Sequence, residues 1–356
     1  MEDLTTTIEI TAATDKDQPE WDLFVHSCSN ASPYHLFAWG KTITQAYHHK
    51  KVYLLARQGG EVVGVLPMVH LQFPFLLNEL VALPFCDVGG SLAVNSDVEG
   101  QLIAEAKKWG ERLNVTKIQV RGPIYNKLET DANFTPMMNN KVRMLLSLPD
   151  SSEKLMAGFK SKLRSQIRKS EKNGVVFRWA GEEGVGAFYS VFCDNMRMLG
   201  SPVHSRRLFH AVMDNYGENA YVGLTEFEGR CIGAGLILST DQQTAIPWAS
   251  TLRQYNKLAP NMLLYWNFLK YAADNNKKIF DFGRSTENEG TFRFKKQWGA
   301  QPVPLSWYAT VKNNQKMSGQ KKSEGAVREK VTDIWRKIPL PVANFLGPQL
   351  RKYINL

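Results

Sequence analysis

The sequence predicts an α/β fold of the α+β kind, built twice in tandem. Two observations carry this. The order hairpin, strand, helix, strand runs through the first half and again through the second. The two hairpin turns, Gln58-Gly59-Gly60-Glu61 and Glu228-Gly229, lie about 170 residues apart. The second copy ends in Phe280-Asp281-Phe282-Gly283-Arg284, a short strand with an acidic residue. It runs through a loop into Gly290-Thr291-Phe292-Arg293-Phe294-Lys295-Lys296-Gln297-Trp298-Gly299, where a lysine stands between aromatics.

In the first copy, Lys51–Ala56 and Val62–Val69 are β-rich runs on either side of the glycine turn, which is a hairpin signature. A third apolar run covers Leu80–Phe85. Val98–Asn114 is helical, with Leu102, Ile103, Ala106 and Trp109 on one face, and Lys117–Arg121 is the closing strand. A boundary follows at Leu148-Pro149-Asp150. Pro149 ends a strand, and Asp150 or Ser152 can cap the next helix. The expected domains are therefore 1–148 and 149–312, with a basic linker and helical tail over 313–356.

Residues Glu153–Asn173 read as one helix stopped by Gly174. Leu155, Phe159, Leu163 and Ile167 form its apolar stripe, and Lys160, Arg164 and Arg168 a basic ridge beside it. A second helix covers Phe188–Leu199. The second hairpin pairs Tyr221–Phe227 with Cys231–Leu238, and the strand Thr244–Ser250 follows. The helix from Pro260 to Asn275 opens with proline, whose missing N–H costs little there. Lys278–Phe282 closes the unit.

The chain has 356 residues, 43% of them hydrophobic and 22% charged, which excludes a mainly disordered protein. Its net charge of +10 favours a polyanionic partner: a phosphorylated ligand, RNA or an anionic membrane surface. The four cysteines are scattered, with no CxxC or Cys/His cluster, so neither a metal site nor a disulfide framework is expected. The acidic start Met1-Glu2-Asp3 lacks a signal-peptide pattern, and prolines break the apolar stretch Val62–Phe85. The expectation is a cytoplasmic protein, peripheral at the inner membrane face if its tail binds lipid.

A lysine shielded on an aromatic wall, with its ammonium in a cleft, can stabilise a developing oxyanion or hold an anionic donor. Lys295 backed by Phe294 fits that demand; a basic hairpin with a structural tryptophan would look the same. The basic ridge of Arg164 and Arg168 suits phosphate groups, although a solvated helix face shares its pattern. The junction Thr251–Asn261 enters a helix and so presents backbone N–H groups, with Arg253 and Lys257 adding charge. Candidates for a general base are Asp281 first, then His204 and Glu226. No nucleophile elbow is visible, so direct attack is expected in place of a covalent acyl-enzyme.

Lys162–Val175 and Phe294-Lys295-Lys296-Gln297-Trp298-Gly299 resemble the basic helix and the Phe-Lys-x-x-aromatic-Gly motif of the tandem GNAT-fold Fem family of aminoacyl transferases, which build peptidoglycan cross-bridges. A closer similarity is to FemAB-like proteins encoded with exosortase, PEP-CTERM and exopolysaccharide systems. It rests on Tyr34–Trp39, Leu83–Gly90, Asn195-Met196-Arg197, Pro202–Ser205, Ile246–Ser250 and Phe280–Thr286. The resemblance implies two GNAT-like domains, each a mixed twisted sheet with flanking helices, with the chemistry in the second. It implies an acyl- or aminoacyl-transferase acting on an amine of a cell-envelope glycan, exopolysaccharide or lipid-linked precursor. Lys295, Phe294, Asp281 and His204 would then be catalytic. Arg164, Arg168, Arg197, Arg253, Asn256, Asn261, Arg284 and Trp248 would bind substrate.

Two departures leave the donor open between aminoacyl-tRNA and acyl-CoA, neither a permanently bound cofactor. Arg253–Leu258 has none of the glycines that let backbone amides approach a CoA pyrophosphate. No segment has the length and charge of the helical arm common in cross-bridge enzymes. Alternatives are an acetyl-CoA-dependent N-acetyltransferase of an amino sugar, and a basic RNA- or membrane-binding adaptor without chemistry. In the tail, Glu324–Ile338 and Val342–Leu356 are apolar and basic. They suit either an anionic membrane surface or docking on the second domain.

Overall fold

The computed structural model describes residues 7–122, 133–137, 140–310 and 331–355. The expected linker, Lys312 to Gly325, and the first half of the helix expected from Glu324 fall outside them. The chain divides into two compact units. The first runs to Val142 and takes back the segment after Pro304; the second spans Arg143–Val303 and includes the C-terminal tail.

In the first unit the strands are β1 (Ile8–Ala12), β2 (Lys50–Gln58), β3 (Glu61–Phe73), β4 (Leu77–Val81), β5 (Leu92–Ala93), β6 (Lys117–Arg121) and β7 (Phe134–Pro136). The β2–β3 hairpin turns on Gly59 and Gly60, at φ 60° and 88°. Such paired positive dihedrals match the twist of the flanking strands. The sheet runs β1-β2-β3-β4-β6. A strand from the far end of the chain, Trp307–Thr310, then pairs antiparallel with both β6 and β7. α1 (Gln18–Ser27) and α2 (Phe37–Tyr47) precede β2. α3 (Ser96–Arg112) is capped by Asn95, whose side chain accepts from the N–H groups of Asp97 and Val98. Its Val98, Leu102, Ile103 and Ala106 pack on Leu54, Leu66, Met68 and Val120.

The expected strand Leu80–Phe85 stops at Val81. Leu83 and Phe85 take φ of 55° and 66°, outside any strand. The loop is pinned from behind through its carbonyls. Trp39 Nε1 donates to Pro84 O (3.1 Å), Arg121 Nη1 to Leu83 O (3.1 Å) and Cys86 O (2.7 Å), and Trp307 Nε1 to Asp87 O (2.9 Å).

In the second unit, the strands are β8 (Lys141–Ser147), β9 (Val176–Ala180), β10 (Ala220–Phe227), β11 (Arg230–Ser239), β12 (Gln243–Thr251), β13 (Ile279–Thr286) and β14 (Gln301–Pro304), with the returning β15 (Trp307–Thr310) in the first sheet. Among the described residues the second sheet runs β14-β8-β13-β12-β11-β10-β9. Helices α4 (Ser152–Gly158), α5 (Ser161–Lys172), α6 (Val185–Leu199), α7 (Arg206–Tyr216), α8 (Pro260–Asp274) and α9 (Gly290–Lys296) surround it. α8 approaches the sheet closely because Gly223 and Gly235 leave room for Phe268. A Cβ at either position would stand 2.4 or 2.7 Å from its ring.

The single helix expected over Glu153–Asn173 is two. Phe159 and Lys160 adopt extended dihedrals between α4 and α5. The break lets Phe159 bury its ring edge-on against Trp298 (5.5 Å) and Trp266 (6.1 Å), contacts that lie outside any one helix stripe.

The tail docks on the second unit. Trp335 and Ala343 are buried. A Cβ at Gly200 (φ 74°) would meet Thr332 at 2.4 Å, and one at Gly347, in α11 (Leu340–Arg351), would meet Val203 N at 2.9 Å. The preceding helical turn, α10, spans 331–337 among the described residues. No described helix is long and apolar enough to cross a membrane.

Candidate active site

The site forms where two neighbouring strands part. β12 and β13 pair in parallel only across Gln243–Ile279, Thr244–Phe280 and Ala245–Asp281. Both strands run on to Thr251 and Thr286 without pairing to each other. Two local features cause the parting. Ile246 and Pro247 stand together opposite Ile237, a bulge in the β11–β12 ladder. Proline is tolerated there because a bulge needs no ladder N–H. On β13, Gly283 turns to φ 72°, open to glycine and costly for other residues. Ligands favour the crevice beyond the carboxyl ends of parting parallel strands.

Lys295 lies on α9 against this kink. It is 8% exposed, and its Nζ donates to the carbonyls of Gly283 (3.1 Å) and Arg284 (2.7 Å). The sequence sets the lysine after a glycine-containing loop; in the structure it lies on the short helix that starts at Gly290. Phe294 packs edge-on against Tyr265 of α8 (4.9 Å) and reaches Trp298 at 6.2 Å. Tyr265 stacks on Phe282 at 5.7 Å. The aromatic wall is therefore real, and burial pushes the Tyr265 phenol well above its ordinary range.

Asp281 is 2% exposed and has both carboxylate oxygens engaged. Oδ2 accepts from Arg143 Nε at 2.7 Å, and Oδ1 from the Gly283 N–H at 2.8 Å. Its geometry is that of a clamp on the kink. Ser285, two residues on, is buried, and its hydroxyl finds no hydrogen-bond partner among the described residues. An unmet buried hydroxyl costs stability and so marks a position where bound substrate or water completes the bonding. Ser285→Ala is expected to raise stability by up to about 1 kcal/mol while lowering turnover severalfold. Urea melts and initial rates on one preparation check this, and a variant that loses stability would remove Ser285 from the site.

Residues 157–296, all within the second unit, match the family model described as an acetyltransferase (GNAT) domain. The second unit carries a GNAT domain. That match supports an acyltransferase, and the chain has the fold of two GNAT-like units in tandem. It superposes on the crystal structure of FemX with a TM-score of 0.69 at 15% identity, covering 86% of this chain and 98% of that one. The C-terminal domain of a putative lysylphosphatidylglycerol synthetase from Agrobacterium fabrum gives 0.56 at 9% identity, covering 90% and 96%. A tandem GNAT protein from the clavulanic acid biosynthesis pathway gives 0.51 at 12% identity, covering 85% and 98%. These likenesses concern the fold. Among curated proteins none matches significantly by sequence.

Within the GNAT domain, Lys295, Phe294, Asp281 and Arg284 come together on β13 and α9. Arg164 joins them indirectly. Its Nη1 donates to Ala157 O (3.3 Å) and Phe159 O (2.9 Å), and Phe159 packs on Trp298. Arg168 is exposed on the same helix. The junction is a 3-10 turn, Arg253–Leu258, with Arg253 and Asn256 exposed and Asn261 in the first turn of α8. It spends amides on itself: Ala259 N–H donates to Asn256 O and Met262 N–H to Ala259 O.

His204 packs against Trp248 of β12, with ring centroids 6.0 Å apart. His204 is 1% exposed, and burial, then the Arg351 charge, holds its imidazole well below the ordinary range and so neutral. Arg197 Nη1 donates to Arg336 O at 3.1 Å and so holds the tail. Burial pushes the Cys193 and Cys231 thiols up to about 11, away from thiolate chemistry. Among the described residues, no group of three or more His, Cys, Asp or Glu side chains could hold a metal.

Sequence reasoning missed Arg143, Tyr265 and Ser285. Arg143 is 138 positions from Asp281, so no local pattern joins them. Tyr265 reads as one more apolar position of α8. Ser285 stands inside the Phe280–Thr286 motif, but a serine becomes informative only once its hydroxyl is known to be unmet.

Proposed function

We propose that the chain transfers an acyl or aminoacyl group to an amine of a cell-envelope glycan, exopolysaccharide or lipid-linked precursor by direct attack. The observation that carries this reading is the buried Lys295 ammonium, fixed by two carbonyls beside the parting of β12 and β13. The amine nitrogen attacks the donor carbonyl carbon, and the carbonyl oxygen takes the electron pair. Lys295 stabilises that oxyanion, or the leaving group as the tetrahedral adduct collapses. Two carbonyl acceptors hold the ammonium in place beforehand, so little reorganisation is needed when charge develops. Asp281, locked by Arg143 and the Gly283 amide, acts as a positioning residue for the β13 kink; the amine proton passes, directly or through water, to the oxygen or sulfur of the departing donor group as the C–O or C–S bond breaks. Arg164, Arg168, Arg253, Asn256, Asn261 and Arg284 supply the polar surface for donor and acceptor phosphates.

An aminoacyl donor is supported by the glycine-free, self-bonded junction, which offers few amides to a pyrophosphate. The neighbour named a lysylphosphatidylglycerol synthetase supports it too, since that name couples an aminoacyl group to a phospholipid. A second reading, N-acetylation of an amino sugar from acetyl-CoA, is favoured by the description of the matching family model. Calorimetric titration of acetyl-CoA, a longer acyl-CoA, charged tRNA and uncharged tRNA tests both. Preference for charged over uncharged tRNA is the expected result. Tight CoA binding would replace it with the second reading, and binding of neither donor would defeat both.

A further inference from the structure

The tail buries Trp335, Ala343 and Gly347 and leaves several large apolar side chains exposed. Phe345 is 73% and Ile334 63% exposed, and Leu346, Leu350 and Ile354 are exposed with them. The adjoining end of α6 adds Met198 and Leu199, also exposed, where Arg197 grips the tail backbone. Large apolar side chains left exposed at this density in one short docked segment signal an interaction site.

The charges around them are almost all of one sign. Residues 331–355 contain Arg336, Lys337, Arg351 and Lys352 against a single acid, Asp333, which already pairs with Arg336 at 3.0 Å; Arg351 turns toward buried His204, so Lys337 and Lys352 are the cations left for a partner. Exposed apolar side chains interspersed in sequence with lysines complement an anionic bilayer. The rings and aliphatic groups enter the headgroup–acyl boundary while the cations meet lipid phosphates.

We propose that the outer face of α10 and α11, with the end of α6, is a membrane-contact surface that holds the second unit on an anionic phospholipid bilayer. Docking of the inner face makes this a rigid contact. The helices are already folded against Val203 and Gly200, so little ordering entropy is lost on binding. The surface is distinct from the Lys295 site, and its test needs neither donor nor acceptor.

The full-length protein is sedimented with phosphatidylcholine vesicles, with and without phosphatidylglycerol. Binding only to the phosphatidylglycerol vesicles, weakened by salt, is expected. The variant Ile334→Glu/Phe345→Glu should lower that binding at least about tenfold. Lys337→Glu/Lys352→Glu should lower it at least about fivefold. Unchanged melting curves would certify the fold, since these side chains point outward. Four results would overturn the proposal. They are no sedimentation of the wild type, equal binding to neutral vesicles, binding by both variants at wild-type strength, or transfer of the loss to Phe75→Glu at the exposed β3–β4 tip. A dimer that the apolar variant splits while vesicle binding persists would assign the face to a second copy and overturn it as well.

Discussion

Replacing Lys295 with alanine will lower transfer by about 100- to 1,000-fold, the usual loss when a preorganised oxyanion donor is removed. The fall should appear in kcat, with donor affinity changed little, because the ammonium meets the charge that develops in the transition state. Lys295→Arg will not restore the rate. A guanidinium is planar and wider, and it cannot place one point donor between the Gly283 and Arg284 carbonyls. Both variants leave those carbonyls short of a donor, at a cost of about 1–3 kcal/mol, so rates must be taken well below each melting temperature. Transfer by Lys295→Ala within twofold of wild type would end the assignment.

Cutting the Arg143–Asp281 pair will have the largest effect on stability. The side chains are 11% and 3% exposed and bonded at 2.7 Å, so losing one partner strands a charge in the interior. Arg143→Met should destabilise the second unit by about 3–5 kcal/mol, readable as a shift of the urea midpoint. Asp281→Asn distinguishes the two roles open to this residue. Its amide oxygen still accepts the Gly283 N–H, so a positioning residue retains turnover within about tenfold while stability falls. A general base would lose its activity outright, and with it the acid limb of the pH–rate profile. Flat kinetics with an intact urea midpoint would contradict both roles.

Much of the scaffold was legible because the signals are local. Gly59-Gly60 and Glu228-Gly229 supply the positive dihedrals that a tight hairpin needs, and both hairpins form there. Periodicity placed the cores of α3, α6 and α8, with ends within a few residues of those observed. Gly174 stops α5 at φ 79° as its position implies. The elements that departed from expectation did so for tertiary reasons. Phe159 leaves the helical path because two tryptophans offer it a pocket. The run after Val81 leaves the strand because Arg121, Trp39 and Trp307 hold its carbonyls in a loop.

By itself the sequence determined that the chain is a tandem α/β protein with an aromatic-flanked lysine after the closing strand of its second unit. Hydrophobic period, turn residues and a short motif are properties of neighbouring positions, so they survive without coordinates. Only the tertiary structure decided what that lysine touches, that Asp281 is clamped by an arginine from β8, and that Trp307–Thr310 returns to the first sheet. It also decided which face of the tail is buried and which is left out. These depend on which distant groups meet in space, where desolvation and hydrogen-bond satisfaction outweigh local preference.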